Sequence, residues 1–187
     1  MTSERLARLA VGDLDADQRA LYDEITGGPR AAGPQAFTLV DPDGGLAGPF
    51  NAMLLCPPLG QALQALGSAV RYRSALTDRA REIAILVVAG VWDSAFEQHA
   101  HESVGRSVGL SDTELAALRT ARIGEFTDPH EALIAATTLA LAVRQDLADD
   151  EFAAARAGLG LPALFELTTL VGYYATLALQ LRVFRVS

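Results

Sequence analysis

Apolar residues recur along most of this chain at three- and four-residue intervals, and that spacing predicts helices almost throughout. A first amphipathic helix is expected from Asp15 to Ile25, with Leu21 and Ile25 one turn apart. Residues 27 to 50 break the pattern with Gly27, Gly28, Gly33, Gly44, Gly45 and Gly48 and with Pro29, Pro34, Pro42 and Pro49. That density of breakers forbids regular structure over most of the segment, although Phe37-Thr38-Leu39-Val40 can extend briefly. A loop this long in one domain is usually functional or packed against a neighbour. From Pro57 the helical period returns. Pro58 opens a helix to about Tyr72, Thr77 caps the next, and Asp93 is expected to cap a third that reaches Val108. Gly109 stops that helix, and Ser111-Asp112-Thr113-Glu114 reads as a capping box for Leu115 to Arg119. Asp128-Pro129 opens a long helix to about Gln145, Asp149 or Asp150 starts a short one, and Pro162 opens a last helix to about Val183. No strand pattern or repeat competes, so the reading is all-α, one compact single-domain bundle with its helical core at about 57–185.

Two helices are apolar on more than one side. The segment after Asp93 sets Trp92, Phe96 and His99 opposite Glu97 and His101. The last helix carries Leu167, Leu170, Tyr173, Tyr174, Leu177, Leu179, Leu181 and Phe184 around most of its circumference. Faces apolar on both sides are buried in a core or between subunits, which points to a homo-oligomer.

At 187 residues with half of them hydrophobic, the chain has enough apolar surface for a core and is not disordered. Lys+Arg total 15 against Asp+Glu 23, a net charge of −8, and no basic cluster is interleaved with aromatics, so nucleic acid is not expected as a partner. The N-terminal residues mix acid and base, and the longest apolar stretches carry Glu82, Glu166, Gln180 and Arg182. Neither a secretion signal nor a membrane span is expected, and the protein reads as cytoplasmic. The single cysteine, Cys56, excludes an intrachain disulfide and a two-thiol redox site, and next to Pro57-Pro58 it reads as a small buried apolar residue.

The candidate chemistry lies at Ser94, Glu97 and His101. Their i, i+3, i+7 spacing places them within about 60° of arc on one helix face. Val104 and Val108 share that face, and Gly105 leaves room beside it. An apolar setting penalises the charged forms of carboxyl and imidazole while their mutual attraction opposes it, the balance that suits groups exchanging protons. An ordinary exposed Glu/His pair is the plainer alternative. Glu82 adds a second oddity, because the run from Ile83 to Val91 is so apolar that its helix must be buried nearly all round. A buried carboxylate needs a partner. Arg79 at i−3 is one candidate; His101 is the other, if the two helices fold back around Trp92-Asp93. His99 points to the opposite face and reads as structural or interfacial, and His130 in a capped first turn reads as exposed.

The strings Arg81-Glu82-Ile83-Ala84-Ile85-Leu86-Val87-Val88-Ala89, Ser94-Ala95-Phe96-Glu97-Gln98-His99-Ala100-His101-Glu102 and Gly109-Leu110-Ser111 resemble the core of the carboxymuconolactone decarboxylase family. Gly48 to Leu55 and Val171-Gly172-Tyr173-Tyr174 are similar to stretches of its longer members, so the resemblance spans roughly residues 10 to 185. It implies the alkylhydroperoxidase-D-like helical fold, a trimer or hexamer, no metal and no organic cofactor. Peroxidase members of the superfamily carry cysteines at the positions of Ser94 and Glu97, and thiol peroxidase chemistry needs both thiols. Their absence places this chain with the decarboxylase-like branch, whose substrate is a small carboxylated lactone or related organic acid. On that resemblance His101 donates or relays the proton, Glu97 and Glu82 set its protonation state, and Ser94 donates to a substrate oxygen. Arg71, Arg73 and Arg81 are candidate anion partners. Two alternatives stay open: a metal site using Glu82, Glu97 and His101, and a non-catalytic oligomer that binds small organic acids.

Overall fold

The structure, a computed structural model, describes residues 5–28, 31, 37–123 and 126–186. Among them the chain is all-α, with one isolated bridge between Val40 and Leu46 as its only extended pairing. The helices are α1 (Ala16–Gly27), α2 (Pro49–Met53), α3 (Pro57–Tyr72), α4 (Asp78–Val91), α5 (Ala95–Ser107), α6 (Asp112–Leu118), α7 (Pro129–Arg144), α8 (Asp149–Gly158) and α9 (Gly160–Phe184). Among the described residues no helix is long and apolar enough to cross a membrane.

Contacts divide the chain into two units, residues 1–72 with 179–187, and residues 73–178. In the first, α3 packs against both α1 and α2. Asp15 caps α1 in a reciprocal box with Gln18. The glycine- and proline-rich segment is more ordered than its composition implies where it is described, at residues 37–48; residues 29–30 and 32–36 lie outside the described residues. Asp41 organises it by accepting from the amides of Asp43 and Gly45 while Arg8 pairs with it at 2.6 Å. The buried Asn51 accepts from the amide of Leu9 and donates to the carbonyl of Ala7. Polar side chains thus supply the hydrogen bonds that a ladder would otherwise provide. Cys56 is exposed, against the expectation of a buried thiol, because it ends the turn before α3 rather than entering its packed face.

The second unit is built on α4, which packs against α5, α6 and α7. All ten residues from Ala80 to Ala89 are buried. Ile83, Leu86 and Val87 meet Leu110, Leu115, Leu118, Phe126 and Ala135 in one cluster. Thr77 caps α4 by accepting from the amide of Ala80, and Ser111 forms the expected box with Glu114 at the start of α6. Asp128 caps α7 through the amides of His130 and Glu131.

Arg79, weighed as a partner for Glu82, is instead held by Glu131 at 2.7 Å, by Glu114 at 2.5 Å and by the carbonyl of Gly109. It fastens the first turn of α4 to the starts of α6 and α7. In the last helix, Leu164, Leu167, Leu170, Tyr173 and Tyr174 are buried, whereas Leu161 and Phe165 are exposed. Part of the apolar circumference of α9 is therefore left uncovered by its own chain.

Candidate functional site

The site sits where α4 turns back into α5. Trp92 ends α4, Asp93 takes a left-handed backbone with φ 50°, and the amide of Ser94 donates to the carbonyl of Ala89 at 2.9 Å. An aspartate tolerates that left-handed position, so Asp93 makes the turn itself and the N-cap moves one residue on, to Ser94. This corrects the expected cap at Asp93, and it bears on the chemistry. Ser94 makes no side-chain capping bond, and its buried hydroxyl has no hydrogen-bond partner among the described residues.

The hairpin carries His101 against Glu82. Imidazole Nδ1 lies 2.7 Å from Glu82 Oε2, a hydrogen bond between residues nineteen apart in sequence. Glu82 has 0% exposure, so the carboxylate is fully dry and His101 is the partner its burial required. On the other side of the ring, Nε2 lies 3.5 Å from Glu97 Oε2, too long for a direct hydrogen bond but in ion-pair range. Glu97 and His101 are themselves buried. The remaining oxygen of Glu82, Oε1, has no hydrogen-bond partner among the described residues. The structure thus sets Glu82 and Glu97 on the two sides of the His101 imidazole, with Ser94 opening the same helix.

Geometry also assigns the ring nitrogens. With Glu82 ionised, Nδ1 must carry hydrogen to donate to Oε2, which leaves Nε2 as the nitrogen free to take up or release a proton. Two carboxylates on opposite sides of the ring do not converge on one point. Among the described residues no group of three or more His, Cys, Asp or Glu has the geometry to hold a metal ion.

Other predicted candidates are exposed or have other partners. His99 and His130 are exposed. Trp92 and Phe96 are partly exposed, so the second face of α5 is not sealed within the chain. Arg73 is exposed, and Arg71 lies over the Tyr72 ring. Arg81 is buried beside Glu82 in sequence and pairs with Asp78 at 2.7 Å. Next to His101, Glu102 is a buried carboxylate that the sequence did not mark; it forms a two-pronged pair with Arg119 that joins α5 to the end of α6. Tyr174 is the other omission. Its ring meets His101 edge-to-face at a centroid distance of 5.2 Å. The Tyr173-Tyr174 doublet was visible in the sequence, but periodicity assigned it only to a core.

Residues 57–139 match the carboxymuconolactone decarboxylase family. That stretch holds α3 to α6 and much of α7, and so includes Glu82, Ser94, Glu97 and His101. The chain is also similar in structure to an uncharacterized peroxidase-related protein from Silicibacter sp. TM1040, with a TM-score of 0.73 and 11% identity over 98% of this chain and 91% of that one. At that identity the likeness speaks for the fold alone. No curated protein matches the chain. The stretches at Gly48 to Leu55 and Val171 to Tyr174, also part of the resemblance, fall outside the family match. The part of the chain that builds the Glu82–His101 hairpin is thus the part similar to the carboxymuconolactone decarboxylase family.

Proposed function

We propose that the protein is a carboxy-lyase of the decarboxylase-like branch, performing cofactor-free acid–base chemistry on a small carboxylated lactone or related cyclic acid. The observation that carries this reading is the buried imidazole of His101, bonded at Nδ1 to Glu82 and flanked at Nε2 by Glu97. In such a reaction the bond to the carboxylate carbon breaks and carbon dioxide leaves. The electron pair stays on the ring carbon as a delocalised anion. His101 Nε2–H delivers a proton to that carbon and later regains one from solvent, so one proton is consumed for each carbon dioxide released. Glu82 keeps Nδ1 as the bonded nitrogen, and Glu97 is placed to return the proton to Nε2. Ser94 Oγ, spent on neither a cap nor a neighbour, is suited to donate to a substrate oxygen.

The Silicibacter neighbour's description refers to peroxidases, but Ser94 and Glu97 supply no thiol, and Cys56 is the sole cysteine of the chain. A peroxidatic and a resolving thiol cannot both be present in one chain. The reading includes a homo-oligomer, supported by the uncovered Leu161 and Phe165 on α9.

The test is a mass-spectrometric screen of cyclic carboxylated compounds for loss of carbon dioxide, run with the wild type and with His101→Gln. Glutamine keeps a donor for Glu82 but cannot titrate, so the rate should fall on the order of 10²–10⁴-fold. A folded variant that loses less than about threefold removes His101 as the general acid.

A further inference from the structure

We propose that the uncharged outer face of α9 is a docking surface for a second copy of this chain, the two helices lying antiparallel about a two-fold axis between Thr168 and Thr169. The face is made by Leu161, Phe165, Thr168, Thr169, Gly172 and Thr176, all within the unit of residues 73–178. At about 100° per residue these six fall within about 100° of arc. Phe165 is 72% exposed and Leu161 52%. The threonines add apolar surface: Thr168 and Thr169 donate their hydroxyls to the carbonyl of Phe165 at 2.8 and 2.9 Å, and Thr176 donates to that of Gly172 at 2.9 Å. A hydroxyl spent on its own helix leaves the methyl to meet a neighbour. Gly172 makes a notch, because a Cβ there would meet nothing within 4 Å.

Three features select the occupant. The face is one helix wide and about 22 Å long at 1.5 Å per residue, which fits another helix. None of its six residues is charged, so a partner that docks through ion pairs finds nothing to hold. Two copies of a chain with net charge −8 meet most favourably on such a face, where like charges are not opposed. The third feature is register. Across a two-fold axis a contact is self-complementary: if one residue meets another, the second also meets the first. Antiparallel helices centred between Thr168 and Thr169 set Phe165 over Gly172 of the second copy and Leu161 over its Thr176. Both bulky residues of the face then meet small ones, and the threonines at the centre let the axes approach to about 8–10 Å. A parallel pair would instead set Phe165 on Phe165 and leave both notches empty.

This inference rests on the homo-oligomer included in the proposed function, and the experiment separates the two. In a Cys56→Ser background, the full-length Leu161→Cys/Thr176→Cys variant keeps Phe165 and Gly172. Its cysteines stand about 22 Å apart along one helix, so no disulfide can close within a chain. Under mild oxidation at micromolar concentration the double variant should form a disulfide-linked dimer on non-reducing gels. Neither single variant should, because the two-fold axis keeps like positions equally far apart. Thr168→Cys lies beside the axis and should cross-link alone, which gives a second measurement if the double variant does not fold. Adding Phe165→Glu to either cysteine variant should slow cross-linking on the order of 10-fold or more, by removing the knob and opposing acids. An oligomer by sedimentation whose double variant and Thr168→Cys both fail to cross-link overturns the proposal and leaves the homo-oligomer standing. So does an oligomer whose Leu161→Cys or Thr176→Cys single variant cross-links as fast as the double. A wild-type monomer overturns both.

Discussion

Glu82 is a carboxylate with no exposed surface in a helix of aliphatic residues, and its tolerance there depends on His101. Removing one member of a buried polar pair is costlier than removing both, since the survivor keeps its desolvation penalty without its partner. His101→Leu should therefore cost about 3–5 kcal/mol in urea unfolding. The double variant Glu82→Leu/His101→Leu should recover most of that loss while remaining inactive. A single variant as stable as the wild type would mean that the pair contributes nothing that must be compensated. Glu102 shows the contrast: it is also buried, but its partner Arg119 serves as a clasp between α5 and α6, and nothing ties it to proton transfer. Sequence could identify Glu82 as anomalous because an acid among Ile83, Ile85 and Leu86 is visible in one dimension. It could not choose between Arg79 and His101, since that choice depends on where α5 and α6 come to rest.

At the scale of elements, α4 and the end of α6 approach closely at Gly90. A Cβ added at Gly90 would run into the backbone carbonyl oxygen of Leu118 and come within 3.1 Å of the amide nitrogen of Ala121. Backbone cannot swing aside as a long side chain can, so Gly90→Ala should destabilise by about 1–3 kcal/mol through overpacking. Gly172 in α9 has open space around its would-be Cβ. There, Gly172→Ala should stabilise by about 0.5–1 kcal/mol, because alanine loses less conformational freedom on entering a helix. Thermal denaturation of the pair checks the sign, and parallel shifts would refute the argument from contact. Thr77→Ala should cost about 1 kcal/mol by removing the cap of α4. Caps at Thr77, Ser111 and Asp128 were readable because each is a local pattern within four residues. The cap at Asp93 was misplaced by one residue because the chain reverses there, and a reversal uses the first polar residue for the turn.

For the molecule as a whole, several carboxylates make acid stability predictable in sign. Amides of Glu131 and His130 hold the Asp128 carboxyl below its ordinary range. Burial acts to raise Glu114, but hydrogen bonds from Ser111 and Arg79 outweigh it and the net shift is downward. A group lowered on folding contributes stability above its unfolded value and loses it as pH falls through the folded one. The melting temperature should therefore hold near neutral pH and decline below about pH 4. Glu114→Gln should be less stable than wild type at pH 7 and converge with it in acid. Parallel curves for the two proteins would rule out a contribution from Glu114 ionisation. Assembly belongs to this scale too: with Phe165 72% exposed on α9, sedimentation should report an oligomer, and a monomer at micromolar concentration would end that part of the reading.

By itself the sequence determined the all-α class, most helix limits, and the small set of residues capable of proton chemistry. Those properties follow from periodicity, caps and side-chain type, all of which act over a few neighbouring residues. Tertiary structure alone decided that His101 rather than Arg79 pairs with Glu82, that Nδ1 is the bonded nitrogen, and that Tyr174 from a helix some seventy residues away abuts the ring. It also decided that Cys56 is exposed and that Ser94 has an unspent hydroxyl. Each of these depends on how helices meet, and burial of apolar faces fixes that meeting only when the whole unit has packed.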